Sequence, residues 1–582
     1  MKPRPFRPYL LFAMILWGGL QTALAATGKV SIEGVNGEMR KSIAAWLSLD
    51  DEPCDAPAWR LTSRVDEATE EIRKAMQAFG YYAPQITRHF EAGGGNGCWS
   101  ASFSIDPGPR VVLRNVDIDV QGEGRDDSAF HRLLKDPTLK SGEPLRHDQY
   151  DAFKSRLSDV AVNRGYFDAR FTRHELVVNP HAGVADVHLH FDTGPRYRFG
   201  DISIEQDAID TDLLRRYLEF HSGELYTRKA VTDTSRAISG SGYFGSVLVE
   251  PLIESAADGR IPVKITATPA DRHRYTASVG YTTDTGARMG VGYRNQRINR
   301  EGHQFTSDLS LSQVISTLTL AYTIPLDKPL TDKLRFETGY KYEDTDSYRA
   351  RTTAVSTTWT HMRDHDWLEE RSLSFGREDY KIGSQDSNVS VLLMPGIGWS
   401  RTVADNRLYP RRGLRLDFKT RGSLDAVISD VSFLQLIGDA KGILGLPWRS
   451  RLIARVNAGT TFMDQFDELP ASVRFFAGGD NSVRGYAYKS LGPKDDTGVV
   501  EGGRNLLTGS LEVEHLVADK WSVAAFVDSG NAFNGTDVNP STGVGLGLHW
   551  RSPVGPIRLD LAHPLNNSDE LVRVHFIMGP DL

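Results

Sequence analysis

From about residue 270 onward, apolar and polar residues alternate in segments of about ten, and this limits the fold more than any other feature. "RYTASVGYTTD", "STLTLAYTIP", "KLRFETGYKYED", "GLRLDFKTRG" and "WSVAAFVDSG" each put every second side chain on one face, with turn-like clusters between them. No stretch here approaches the roughly 20 apolar residues of a spanning helix. Segments of this kind cross a bilayer only if their backbone groups pair with one another, as in a closed barrel. The pattern predicts sixteen strands, starting near 274, 287, 303, 316, 333, 349, 369, 389, 413, 430, 451, 505, 521, 541, 555 and 571. An even number leaves both barrel ends on one side of the membrane, together with whatever precedes the barrel.

The chain opens "MKPRPFRPYLLFAMILWGGLQTALA": Lys2, Arg4 and Arg7, an apolar run from Tyr9 to Leu20, then Ala23-Leu24-Ala25. This predicts a secretory signal peptide over residues 1–25, with the apolar run short for a membrane anchor. The net charge of −7 over 582 residues argues against a nucleic-acid partner. The two cysteines, Cys54 and Cys98, lie close together near the mature N-terminus. In an oxidising compartment they read as a disulfide worth about 2–4 kcal/mol, the alternative being two buried free thiols.

Between these regions the chain repeats itself. "FGYYAPQI" (79–86), "RGYFDARF" (164–171) and "SGYFGSVL" (241–248) share one pattern, and "IDPGPRVVLRNVDI" (105–118) returns as "FDTGPRYRFGDISI" (191–204). Such self-similarity predicts three tandem copies of one small domain, at 26–108, 109–194 and 195–270, ahead of a barrel over 271–582. Each copy reads as strand, two helices, two strands (βααββ). The longer helix carries an apolar stripe: Val65, Ala68, Ile72, Ala75 and Phe79 in the first copy, Tyr150, Phe153, Leu157 and Val160 in the second. Gly80, Gly165 and Gly242 fall where these helices end and read as left-handed caps, that is, as fold-defining residues.

Strand parity makes the gap at 464–504 the sixth extracellular loop, long enough to fold back into the barrel. It contains "GGDNSVRGYAYKS", with Val483-Arg484-Gly485-Tyr486 at its centre. In "TGSLEVEHLV" and "WSVAAFVDSG" alternation points Leu511, Val513, His515, Trp521, Val523, Ala525 and Val527 at lipid and Ser510, Glu512, Glu514, Ser522, Ala524, Phe526 and Asp528 into the lumen. Counting back from a turn at Asp519-Lys520 places Glu512 and Asp528 almost opposite each other. Two such carboxylates repel, and an inserted guanidinium relieves them through charge-assisted hydrogen bonds. Arg484 is the candidate, and Gly485 permits close backbone approach; the alternative is a hydrated lumen with unpaired acids and a solvated loop arginine.

Together these features resemble the family of POTRA-domain outer-membrane assembly and secretion proteins: α+β tandem POTRA modules followed by a 16-stranded antiparallel transmembrane β-barrel. Val483-Arg484-Gly485-Tyr486 is similar to that family's sixth-loop signature, and Glu512 and Asp528 match the wall acids that hold its arginine. Three modules, with "VRFFAGGDNSVRGYAYKS", "SPVGPIRLDLA" and "HFIMGPDL", resemble the TamA branch of the family. The resemblance implies insertion of outer-membrane proteins, autotransporters included, and lipid movement between membranes. It implies a TamB-like partner anchored in the inner membrane and spanning the periplasm, unfolded outer-membrane clients and outer-membrane lipid.

It further implies a weak seam between first and last strands, about Tyr275–Thr282 and Leu571–Ile577, with Tyr275, Ser278, Gly280, Val572, Val574 and Phe576 along it. An incoming β-segment pairs with the edge exposed when the seam opens sideways, and the locked loop stiffens the opposite lumen wall. Many outer-membrane barrels end in an aromatic residue, whereas here "MGPDL" follows Phe576 and reads as an extension beyond the last strand.

The rival readings are a two-partner-secretion-type polypeptide transporter and a passive porin or receptor. An enzyme is not expected, nor a cofactor or metal: there is no G-x-S-x-G or H-E-x-x-H. His361, Asp364, His365 and Asp366 in "THMRDHDW" fall in a periplasmic turn and read as polar turn residues. "GGGNG" (93–97) reads as a turn between strands, since no helix follows it.

Overall fold

The computed structural model describes residues 28–93, 98–135, 137–406, 408–553, 555–566 and 571–578. The expected signal peptide, most of the glycine-rich turn at 93–97 and the tail from 579 lie outside the described residues. The chain divides into two compact units: residues 1–199 with 223–228 and 256–261, and residues 200–222, 229–255 and 262–582.

Three POTRA-like modules precede the barrel. The first runs through strand Lys29–Glu33, helices Gly37–Trp46 and Ala58–Gln77, and strands Gln85–Glu91 and Ser100–Asp106. Its last strand takes the middle of the sheet, parallel to the first and antiparallel to the second. The second module repeats this order with strand Val112–Gln121, helices Ser128–Lys135 and His147–Arg164, and strands Arg170–Asn179 and Val184–Asp192. The third has strand Arg198–Glu205, helices Thr211–Arg215 and Arg228–Gly240, and strands Phe244–Pro251 and Arg260–Pro269. Each core forms where the helical stripe meets the alternate residues of the middle strand. In the first module Val65, Ala68 and Ile72 pack with Ala101, Phe103 and Ile105; in the second Phe153 and Leu157 pack with Val187 and Leu189. The disulfide Cys54–Cys98 joins positions 44 residues apart in the first module, a loop whose closure is worth about 4 kcal/mol in the chain-entropy account.

The repeated glycines do more than end helices. Gly165 is a left-handed helix cap with φ +87°, whereas Gly80 and Gly242, also at positive φ, sit two or three residues beyond their helices. A Cβ at Gly80 would lie 2.5 Å from the Leu145 carbonyl oxygen of the second module, and one at Gly165 would lie 2.9 Å from Tyr226 of the third. A Cβ at Gly242 would approach Gln296, in the turn after the second barrel strand, at 3.1 Å. The other repeated marker docks at the same places. Arg110 Nε donates to Phe79 O and Arg196 Nε to Arg164 O, both at 2.8 Å, while Val111 N–H donates to Gly80 O and Tyr197 N–H to Gly165 O, both at 2.9 Å. The two motifs of the repeat are thus the two halves of one joint.

Among the described residues, sixteen strands form a single antiparallel meander in sequence order. They begin at 273, 286, 304, 315, 333, 348, 367, 388, 413, 433, 450, 505, 521, 541, 555 and 573, within three residues of every expected start. Bulky apolar residues such as Leu511, Val513, Trp521 and Val527 face outward, and many inward positions, among them Glu512, Glu514, Ser522 and Asp528, are polar or charged.

Candidate functional site

The stretch 478–490 spans the lumen between two charged anchors. Arg484 is the first. It lies 3.4 Å above the Phe526 ring, and its backbone N–H and Nε donate to Asp528 Oδ2 at 3.0 and 2.7 Å. Its Nη2 donates to Asp528 Oδ1 at 3.0 Å, and its Nη1 reaches both Glu512 Oε2 and Asp560 Oδ2 at 2.8 Å. The acids come from the twelfth (Asn505–Ala518), thirteenth (Trp521–Phe533) and fifteenth (Gly555–Pro564) strands. All four charged groups are at least 95% buried, so the guanidinium is what permits three carboxylates to share one dry site.

The network continues around the wall. His549 faces Asp560 Oδ1 through Nε2 at 3.0 Å and Glu514 Oε2 through Nδ1 at 2.9 Å, and Arg451 also reaches Glu514 at 2.8 Å. With carboxylate oxygens at both ring nitrogens, the imidazolium form satisfies this geometry. Glycines on the fourteenth strand (Ser541–Ser552) clear the space: a Cβ at Gly543 would lie 1.9 Å from Arg484 O, and one at Gly545 would lie 2.4 Å from the Phe526 ring. Gly485 has φ +98° and stands against the His563–Pro564 backbone. Val483 is fully buried, and the Tyr486 hydroxyl donates to Thr542 O at 3.3 Å.

Lys489 is the second anchor, and sequence reasoning missed it. Its ammonium sits 2.7 Å from buried Glu343 on the fifth strand (Lys333–Asp344) and also contacts the Tyr348 hydroxyl on the sixth (Tyr348–Arg363). The flanking loop is pinned as well: Ser472 N–H donates to Glu378, Gln435 donates to Val473 O, and Arg474 holds the carbonyls of Asp467, Leu469 and Glu501.

Three expectations need correction. Glu512 and Asp528 share the lumen face but are not opposite: Glu512 pairs with Phe526 and Asp528 with Ser510. A bulge between Leu516 and Ala518 shifts the register by one from a count made back from the turn. Second, no backbone ladder joins the first (His273–Thr282) and sixteenth (Arg573–Met578) strands among the described residues. Leu571 and Val572 precede the sixteenth strand, and the Phe576 N–H donates to Thr283 Oγ1, just beyond the end of the first. The edges are offset along the barrel, which leaves Tyr275, Ser278 and Gly280 without sixteenth-strand partners among the described residues; Tyr275 is 74% exposed, and Val574 is exposed on the facing edge. Ring contact between Tyr281 and Phe576, with centroids 6.2 Å apart, reinforces the upper end.

Third, the lock is not on the wall opposite the seam. Gly485 N–H donates to His575 Nε2 on the sixteenth strand at 2.9 Å, and Asp480 N–H donates to Asp284, in the turn after the first strand, at 2.9 Å. Loop six therefore touches both edges.

Among the described residues, two groups of three possible metal-ligating side chains converge: Glu512, His549 and Asp560, and Asp284, Asp480 and His575. Arg484 occupies the first. His361, Asp364, His365 and Asp366 contribute to neither; His361 lies in the sixth strand and not, as expected, in the turn, and pairs with Asp332 at 2.9 Å.

A sixteen-stranded barrel carrying POTRA modules, with an arginine-locked loop in its lumen, defines a class of outer-membrane protein whose modules lie in the periplasm. Residues 271–581 match the Omp85 superfamily domain, and the chain belongs to that superfamily. Residues 29–107 match the first POTRA domain of TamA, and residues 197–269 match a POTRA family described as a surface antigen variable number repeat. The chain is similar to the outer membrane protein assembly factor BamA of Nitratidesulfovibrio vulgaris, at 21% identity over 80% of this chain and 61% of that protein. It is also 21% identical to BamA of Neisseria meningitidis serogroup B, over 82% of this chain and 68% of that protein. The crystal structure of Haemophilus ducreyi BamA lacking POTRA domains 1–3 superposes with a TM-score of 0.64 at 18% identity, covering 80% of this chain and 99% of that one. The chain thus spans about 61% of the first of these relatives.

Proposed function

We propose that the protein inserts outer-membrane β-proteins, autotransporters among them, by opening its barrel sideways between the first and sixteenth strands. The observation that carries this reading is the unladdered seam. A closed barrel has no edge, whereas here, among the described residues, the lower part of the first strand has no ladder partner and offers an apolar, exposed outer face to an incoming strand. The fifteen other strand pairs are laddered, so strain that opens the barrel acts first at this seam. Within the superfamily, the three modules and the match of the first one to TamA favour the TamA branch over the BamA branch. On that reading a TamB-like, inner-membrane-anchored protein supplies clients or lipid to the POTRA modules.

The test is a reversible bond across the seam. A cysteine pair at Tyr281 and Phe576, whose rings are already in contact, should lower client insertion in the oxidised form and restore it on reduction. Equal activity in both forms removes lateral opening from the mechanism. Copurification of a long, β-rich, single-anchor protein tests the branch.

A further inference from the structure

We propose that Asp284, Asp480 and His575 form a proton-sensitive latch that holds the two edges of the seam together through the sixth loop. The proposal rests on the seam-opening reading and adds what controls it. Each residue comes from a different element: the turn after the first strand, the sixth loop and the sixteenth strand. Asp480 Oδ1 accepts from Thr283 Oγ1 at 2.8 Å and from His575 Nδ1 at 2.6 Å, while Asp480 N–H donates to Asp284 Oδ2 at 2.9 Å. With the Phe576 N–H to Thr283 bond, these contacts supply polar ties between edges that lack a ladder among the described residues.

The geometry fixes the ring's proton. Gly485 N–H can only donate, so His575 Nε2 is bare and Nδ1 carries the hydrogen that Asp480 accepts. A cation on Nδ1 would drive that hydrogen to Nε2, against the Gly485 N–H. The cluster is therefore built for protons rather than for a metal, although its ligand atoms lie within 4.8 Å of one another.

The groups facing His575 are Asp480, Asp284 and, opposite it on the fifteenth strand, Asp560, whose oxygens are engaged by Arg484 and His549. The groups facing Asp284 are Asp480, His575 and the Tyr488 hydroxyl. Asp284 thus meets a second carboxylate with only a neutral imidazole to offset it. Burial, then the Asp480 charge, push the Asp284 carboxyl up to about 7. In an open seam this side chain is hydrated and returns to the ordinary carboxylate range. The latched state therefore binds the proton more tightly. Its advantage is complete below that range and is lost as pH rises through about 7.

The test uses the full-length chain in lipid nanodiscs with spin labels at Val279→Cys and Val574→Cys, both exposed on the outer face. Pulsed electron spin resonance reads the distance across the seam without any client, so a failure here is separable from a failure of the insertion reading. We expect the ratio of long to short distances to rise roughly ten- to thirtyfold between pH 5.5 and 8.5, the yield of one linked proton. Asp284→Asn should stay closed at both pH values, and His575→Ala should be open at both while keeping heat-resistant gel mobility. His575→Phe, which fills the same space without the hydrogen bonds, should behave like His575→Ala. Distances unchanged by these substitutions, a pH response that persists in Asp284→Asn, or opening by a chelator at constant pH would each overturn the latch.

Discussion

The joints between the POTRA modules and the lock inside the barrel are both short motifs ending in an arginine contact, yet they are built on opposite principles. At the joints, Arg110 and Arg196 donate to backbone carbonyls, Arg196 with a single carboxylate, Asp127, 3.5 Å away, and a positive-φ glycine lets two backbones meet. In the lumen, Arg484 is held by three carboxylates and stacks on Phe526 in a site closed to water. A neutral acceptor that loses its donor to water loses little, so a joint can flex. Three buried acids that lose their cation are left in mutual repulsion, so the lock is close to all-or-none. The joints rest mainly on backbone acceptors, and the barrel interior on buried charge.

The largest effect that would break this contrast is at Arg484. Arg484→Ala should destabilise the docked loop by about 3–5 kcal/mol, the usual cost of stranding buried charges. The loop at 464–504 should become protease-sensitive and insertion should fall, while the laddered strands keep the barrel's heat-resistant mobility. A loop that stays protected shows that the acids do not need the arginine. Gly165→Val comes next: it forces a branched side chain to φ +87° against Tyr226, at roughly 1–3 kcal/mol, and should widen the distance distribution between spin labels on the second and third modules.

Lys489→Met removes the second anchor, but buried Glu343 keeps Lys341 at 2.6 Å, so its effect should be smaller than that of Arg484→Ala. Hydrogen exchange should speed up at 486–491 and remain slow around Arg484. The smallest effect belongs to a joint arginine. Arg196→Ala should cost about 1–2 kcal/mol, since besides the bond to the Arg164 carbonyl it loses a 3.5 Å contact with buried Asp127. Nearby, Asp127 caps the helix Ser128–Lys135 and receives Arg164. Burial raises its carboxyl, but the Ala129 N–H and the Arg164 guanidinium outweigh this and hold it below the usual carboxylate range. Because the folded value is depressed, its contribution is present above the ordinary carboxylate range and is lost as pH falls through the depressed value. Urea midpoints of the second module, followed from pH 6 downward, should fall, and should fall less in Asp127→Asn.

What the sequence revealed followed from what alternation encodes. Period-two patterning specifies which face a residue takes, so the inward positions of Glu512, Phe526 and Asp528 were legible. Register is a different quantity, and one bulged residue near Val517 was enough to shift it. Asp560 and His575 were missed although "PIRLDLA" and "VRVHFIM" alternate just as clearly. Their relation to Arg484 runs through strands far apart in sequence, and no single hairpin count connects them. Lys489 lies in a loop, where no period exists to read. The seam is the least legible part, because its two strands share no turn from which to count.

Arg484 finds all its partners only after the twelfth, thirteenth and fifteenth strands stand side by side in register. A loop that tried to dock earlier, or onto a slipped hairpin, would bury a guanidinium with too few acceptors and be expelled. Docking therefore serves as an inspection of the protein's own assembly: the lumen is sealed only after its own last strands are correctly placed.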